Sequence, residues 1–288
     1  MTTIKKISVV IPTLGGECLK ETLNQLNSGS LIPNEILICI PEKIYVNDGI
    51  LEMKNVNIIH TPVRSQVAQR AIGFQRAKYD YILQLDDDIL VDYFCVENLL
   101  INSQKLGANV AISPILVDGK TGNSVYKIPR YPKFILTLYF WLMNGDHGYQ
   151  PGKIDKAGSA IGVDPKTNRS QLIEVDWLPG GCVMHHRENL ILDDFWKRIG
   201  KAYYEDLVHS YLLKKNGIKL YIDKQSICKI EVMKKTNTTI NNFLKDLHSD
   251  YFARKYYMKK VGLLSLRMHL YYIFRILSYL YYRILKIK

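Results

Sequence analysis

The sequence predicts an α/β fold, a mainly parallel sheet flanked by helices, followed by a helical amphipathic C-terminal extension. Three observations lead there. Short continuous apolar runs alternate with helical stretches over residues 4–110, the residues that end those runs are small, polar or acidic, and residues 251–288 contain no Asp or Glu. A strand that is apolar on successive residues is buried on both faces, and strands separated by helices pair in parallel. Sheets built this way bind ligands beyond the carboxyl ends of their strands.

The first strand is Ile7-Ser8-Val9-Val10-Ile11, stopped by Pro12. Lys5-Lys6 precede it, but the apolar run is too short for a secretory leader and no small-residue cleavage site follows. A polar-apolar stretch from Glu17 to Asn27 reads as the first helix, and Ile36 to Ile40 as the second strand. Val56 to Ile59 is the third strand, Gln66 to Ala77 a helix, and Tyr81-Ile82-Leu83-Gln84-Leu85 the fourth strand. From 111 to 180 the pattern weakens, and the aromatic Tyr139-Phe140-Trp141 with the loop-like Asn144 to Gly162 occupies the place of a substrate-specific insertion or flap. Regularity returns at Val175 to Met184, then at a helix from Val208 to Lys215 opened by Glu205-Asp206 and ended by Asn216-Gly217, then at a strand from Ile218 to Ile222. The organisation expected is one domain over 1–225 and a helical basic extension over 226–288.

Composition narrows the class. With 47% hydrophobic and 23% charged residues the chain is neither disordered nor fibrous. Its five cysteines are odd in number and widely spaced, with no paired spacing for zinc, so neither a disulfide framework nor a structural zinc site is suggested and a reducing, cytoplasmic compartment is expected. Two sequons, at Asn168 and Asn237, carry no weight without secretion.

Chemistry concentrates at the strand ends. Asp86-Asp87-Asp88 follows the fourth strand directly. Adjacent carboxylates repel unless a cation neutralises them, and Mg²⁺ or Mn²⁺ takes one or two carboxylates together with phosphate oxygens. In an extended chain Asp86 and Asp88 face one way and Asp87 the other; a solvated acidic turn is the alternative. Glu205-Asp206 at a helix start is either a cap or a general base near a metal-held electrophile. Gly180-Gly181 lets backbone approach a ligand, and Trp177 has the ring to stack on a sugar face or to fill the core. Arg70 is either a solvated helix residue or a phosphate contact. His185 and His186 point to opposite faces of a strand and read as structural or solvent-facing.

In this order the pieces resemble the family 2 inverting glycosyltransferases, which have the GT-A fold and use a nucleotide-diphospho-sugar donor. The resemblance rests on Ile7 to Thr13, Gln69 to Phe74, Tyr81 to Ile89, Asp176 to Cys182 and Tyr204 to Leu207, and covers about residues 4–222. It implies Pro12 and Thr13 along the nucleotide, Arg70 near the base or diphosphate, Asp86 near the ribose with Asp87 beside it, and Asp88 on Mg²⁺ or Mn²⁺. It further implies Asp206, with Glu205, as the base that deprotonates an acceptor hydroxyl, inverting the anomeric centre. Trp177, Gly180 and Gly181 fall to the acceptor and sugar. Where the family commonly has an acidic pair followed by Gly and Ser, this chain has Ile40-Pro41-Glu42-Lys43, so Glu42 is the candidate reader of the base and UDP the default nucleotide. A sugar-phosphate nucleotidyltransferase would need a basic Gly-rich loop after the first strand, which Leu14-Gly15-Gly16-Glu17 lacks. A non-catalytic binding module of the same fold is the other alternative.

The formal charge is +12, of which the acid-free tail from Tyr251 holds nine. The segment from Phe243 onward reads as helical throughout. On a wheel, Leu263, Leu266, Leu270, Ile273, Phe274, Leu277, Leu280, Tyr281 and Ile284 share one side, and Lys260, Arg267, Arg275, Ser278, Arg283 and Lys286 the other. The expected partners are a nucleotide-diphospho-sugar, a sugar or lipid-linked acceptor of surface polysaccharide, and an anionic membrane surface reached through 260–288, with the protein peripheral on the inner face of the cell membrane. The tail's continuous apolar side argues against nucleic acid as the partner.

Overall fold

The computed structural model describes residues 5–45, 48–126, 133–165, 170–196, 203–231 and 239–285. Both sequons fall partly outside these segments, as do Lys286 and Lys288 of the tail. In chain order the elements are β1 (Ile7–Pro12), α1 (Leu19–Ser28), β2 (Glu35–Pro41), α2 (Asp48–Leu51), β3 (Val56–Thr61), α3 (Gln66–Arg76), β4 (Tyr81–Leu85), β5 (Leu90–Val91), α4 (Cys95–Leu106), β6 (Val110–Asp118) and α5 (Lys133–Asn144). They continue with β7 (Leu172–Val175), β8 (Cys182–His186), α6 (Glu205–Lys215), β9 (Lys219–Ile230), α7 (Ile240–Val261) and α8 (Leu266–Leu285).

Two compact units divide the chain, one of Met1–Lys127 with Asp164–Val232, the other of Ile128–Val163 with Met233–Lys288. The sequence reading placed everything before 226 in one domain; the structure instead groups the 128–163 insertion with the C-terminal helices.

In the first unit the strand order is β3-β2-β1-β4-β8-β6-β9-β5, with β7 on β9. The strands β1 to β4 pair in parallel, as their doubly buried sequences require. Beyond β4 antiparallel pairs join the parallel ones: β8 enters antiparallel between β4 and β6, and β6 with β9 is parallel again. Alternate side chains fill two cores, as a period of two demands. On one face Ile7, Val9, Ile11, Ile36, Ile38 and Leu83 pack with Leu23 of α1 and Leu99 of α4. On the other, Val10, Leu37, Cys39 and Ile82 pack with Phe74 and Ala77.

Helix α3 lies so close to the sheet that only glycine fits at position 73. A Cβ there would overlap the Val10 side chain and stand 2.6 Å from Cys39 Sγ. Gly73→Ala is therefore expected to destabilise the protein by about 1 to 3 kcal/mol, the range for overpacking a filled core, read as a shift of the urea midpoint at unchanged slope.

The second unit contains α5, α7 and α8. The expected single C-terminal helix is broken where Gly262 takes φ +75° and caps α7 on the carbonyl of Met258. Arg254 of α7 is buried and donates to the carbonyl of Ala157 at 3.1 Å and to Ser159 Oγ at 2.7 Å, fastening the 153–161 loop. Met258, Met268 and Tyr272 form the core between α7 and α8.

Candidate active site

The carboxyl ends of β1, β2 and β4 lie at one edge of the sheet because these strands are parallel. Since β8 runs antiparallel with Cys182 opposite Leu85, the Gly180-Gly181 turn that precedes it arrives at that same edge. Two bonds hold the turn there. Asp86 N donates to the carbonyl of Gly181 at 2.8 Å, and the buried Gln84 side chain donates to the carbonyl of Gly180.

Asp86-Asp87-Asp88 is not extended, as an alternating reading required, but turns immediately after β4. Asp86 and Asp87 consequently take different partners. Asp86 Oδ1 accepts from Arg70 Nη2 at 2.6 Å and from Gln66 Nε2 at 2.8 Å. Asp87 accepts the hydroxyl of Thr13, while its carbonyl accepts from Thr22 Oγ1 of α1 at 2.8 Å. Burial pushes the Asp87 carboxyl above the usual carboxylate range, opposed by the Thr13 hydrogen bond. Asp88 is exposed at the tip of the turn.

Arg70 is buried, not a solvated helix residue. Its Nη1 donates to Glu205 Oε1, 135 residues away, at 2.7 Å, so one guanidinium joins the end of β4 to the start of α6. Burial opposes its charge, but the carboxylates of Glu205 and Asp86 outweigh burial and hold it protonated above its ordinary range. Glu205 is thereby engaged as a structural anion, and Asp206, half-buried next to it, is the carboxylate left for chemistry. Its own contact is with the N–H of Leu207 at 2.9 Å. Burial, and after it the neighbouring charge of Glu205, raise the Asp206 pKa to about 7. A carboxyl that titrates near neutrality is matched to accept a proton from a hydroxyl.

The entry to α6 is strained. Tyr204, its N-cap, has φ +66°, the left-handed region that a non-glycine residue occupies at a cost of roughly 1 kcal/mol. That turn aims Glu205 back at Arg70. No Cβ fits at Gly180, where it would lie 2.9 Å from Glu205 Oε1, nor at Gly181, where it would meet the Ile89 side chain.

The remaining expected positions distribute as follows. Pro12 and Thr13 are buried at the end of β1, where Gln69 Nε2 bonds the carbonyls of Thr13 at 2.9 Å and Cys39 at 2.6 Å and locks two strand ends together. Glu42 is exposed just past β2, its N–H bonded to the carbonyl of Thr61. Trp177 is 5% exposed and packs edge-to-face on Tyr126 at 5.5 Å, so in this geometry it fills the core instead of offering a face to a sugar. His185 is buried, its basicity lowered first by burial and then by His209 and Arg70, while His186 sits on the opposite face against Tyr81. Gln69, Gln84 and Tyr204 lie within the stretches that carry the resemblance, and Gln66 at a predicted helix start, but sequence reasoning assigned none of the four a role.

Among the described residues no group of three or more His, Cys, Asp or Glu is placed to hold a metal by itself. Of the triplet, Asp88 is the exposed carboxylate, on the side where a solvated cation would reach it. One such carboxylate fits an ion that draws its other ligands from a diphosphate and water, the habit of Mg²⁺ and Mn²⁺.

Comparisons with known proteins agree with this geometry. Among solved structures, GalNAc-T7, crystallised with UDP, GalNAc and Mn²⁺, is similar at a TM-score of 0.58 with 19% identity over 88% of this chain and 50% of that one. The chain thus spans half the length of that structure, and the likeness establishes the GT-A fold. TarS of S. aureus aligns at a TM-score of 0.48 with 12% identity over 86% of this chain and 39% of that one. No curated protein matches the chain. Residues 8–160 match the glycosyl transferase family 2, a span that includes β1, the Arg70 helix and the acidic triplet but stops short of Glu205-Asp206. This chain belongs to glycosyl transferase family 2.

Proposed function

We propose that the protein transfers a sugar from a nucleotide diphosphate, UDP by default, to an acceptor hydroxyl with inversion at the anomeric carbon. The observation that carries this reading is the meeting of the turn after β4, the Gly180-Gly181 turn and the start of α6 at one sheet edge, where Arg70 bridges Asp86, two residues before Asp88, to Glu205, the neighbour of Asp206. The nucleotide lies along Pro12, Thr13 and Glu42, with Asp86 and Asp87 fixed beneath it by their own partners. The Gly180-Gly181 turn, packed against Glu205 and Ile89, brings its backbone to the side of the sugar and acceptor. Asp206 removes the acceptor proton, and the oxygen then attacks the anomeric carbon as the bond to the diphosphate breaks. Glu205 and Arg70 keep that carboxylate in place. A divalent ion, when bound at Asp88 with the diphosphate, neutralises charge on the leaving group; a structure of the same fold obtained with UDP and Mn²⁺ supports that assignment. For the acceptor we take a lipid-linked or surface-polysaccharide hydroxyl, and for the location the cytoplasmic face of a membrane, on the strength of the basic tail.

The test is release of nucleotide diphosphate from a panel of nucleotide sugars with Mn²⁺ or Mg²⁺. One donor should be hydrolysed slowly and only with metal, and Asp88→Ala should lower that rate by at least about a hundredfold. Being exposed, Asp88 can be replaced with little effect on folding. Metal-dependent release that persists unchanged in Asp88→Ala would rule out the assigned ligand.

A further inference from the structure

The whole charge excess of the protein belongs to its second unit. That unit, residues 128–163 and 233–288, holds 16 of the 39 Lys and Arg but only 4 of the 27 Asp and Glu, which accounts for the full +12 and leaves the first unit neutral. The same unit carries a large exposed apolar surface. On α8, Leu266, Ile273, Leu277 and Leu280 are 72, 53, 58 and 45% exposed, and on α5, Phe134, Leu138 and Trp141 are 71, 48 and 52% exposed.

These two sets face the same way. Helices α5 and α8 pack side by side and antiparallel. Tyr139 meets Phe274 edge-to-face at 5.8 Å, whereas Arg267, earlier on α8, donates to the carbonyls of Trp141 and Leu142, later on α5. At about 100° per residue, Leu138, Phe134 and Trp141 lie roughly 100° to 160° behind Tyr139, and Leu277, Leu266, Ile273 and Leu280 roughly 60° to 120° behind Phe274. In an antiparallel pair, offsets of the same sign from the contact residues fall on the same side. Met268 and Tyr272, which pack against α7, lie on the other side of α8. The result is a continuous uncharged strip two helices wide within the most basic part of the molecule.

We propose that the α5–α8 face is a docking surface for anionic lipid membrane, with α5 contributing as much as the tail helix. This deepens the membrane reading above, which rested on the tail alone. Two features select lipid over a second copy of this chain. Apposing two such faces would bring two units of charge +12 together, whereas anionic headgroups complement that charge. And the strip's Trp141 and Tyr281 are ring types favoured at a headgroup boundary. No described helix is long and apolar enough to cross a membrane; an uncharged strip on a basic unit suits one that lies on its surface.

The test is co-sedimentation of the full chain with vesicles of phosphatidylcholine alone or mixed with phosphatidylglycerol, beside Trp141→Glu and Leu277→Glu. The parent should pellet with the anionic vesicles and be released by salt, and each variant should bind at least about tenfold more weakly, since a charge replaces a large apolar side chain that contact with lipid would take out of water. Both positions are already exposed, so circular dichroism should show the parent fold, and donor hydrolysis in solution should be retained. Vesicle binding lost while hydrolysis persists concerns this surface only; hydrolysis absent while vesicle binding persists concerns the transferase reading only. Binding by Trp141→Glu equal to the parent would overturn the role of α5. No binding to any vesicle, or a dimer in light scattering that Trp141→Glu dissolves, would overturn lipid as the occupant.

Discussion

Replacing Arg70 by methionine should destabilise the protein by about 3 to 5 kcal/mol, the cost of stranding buried carboxylates whose counter-ion has been removed. Two anions depend on this one cation. Glu205 is buried and Asp86 half-buried, and each meets a different nitrogen of the same planar group. Lysine has the charge without the fork, so Arg70→Lys should recover only part of the loss. The double change Arg70→Met with Glu205→Gln should be more stable than Arg70→Met alone, because the more deeply buried orphan charge is then gone. Neither variant should bind donor as the parent does, since Asp86 loses its anchor. Denaturant melts of the four proteins measure the coupling directly. A loss in Arg70→Met of under about 1 kcal/mol, the usual size for an exposed pair, would show that the bridge is a surface contact.

That bridge also marks the boundary of what the sequence reveals. The strand ends were legible because apolar runs such as Tyr81 to Leu85 stop abruptly at polar or acidic residues, and a strand has only one carboxyl end. Thr13 and Asp86 stand out as candidates in this way. The contact of Arg70 with Glu205 does not, because no local period records which residue 135 positions away completes an ion pair. The direction of each Asp in the triplet was misread because alternation holds only while the chain stays extended, and here it turns at once. Trp177 shows the reverse error. Beside two glycines an aromatic ring reads equally as platform or as core, and only the packing against Tyr126 decides it. The insertion that holds α5 had no readable face, since its outward positions are as apolar as its inward ones.

Asp206→Asn should lower transfer by roughly a thousandfold, within the range for removing a general base, while leaving donor and metal binding near the parent's. The parent's pH profile should carry the same residue's signature. With the Asp206 pKa near 7, kcat/KM should rise with pH and level off above about 7, as the carboxyl becomes free to accept a proton. Stability should move in the opposite direction. A carboxyl whose pKa goes from an ordinary 3.8 up to about 7 on folding favours the fold fully below pH 3.8, and that contribution fades as pH rises through 7. The ionised form that serves catalysis is thus the form the fold resists, both by burial and by the charge of Glu205 beside it. Asp206→Asn removes that opposition, so at pH 8 the inactive variant should be more stable than the parent by about 1 kcal/mol or more. Glu205→Gln should lower the Asp206 pKa and shift the rising limb of the rate profile toward acid. If Asp206→Asn keeps full activity, or if the profile of Glu205→Gln does not move, the base is not Asp206 or its basicity is not set by its neighbour.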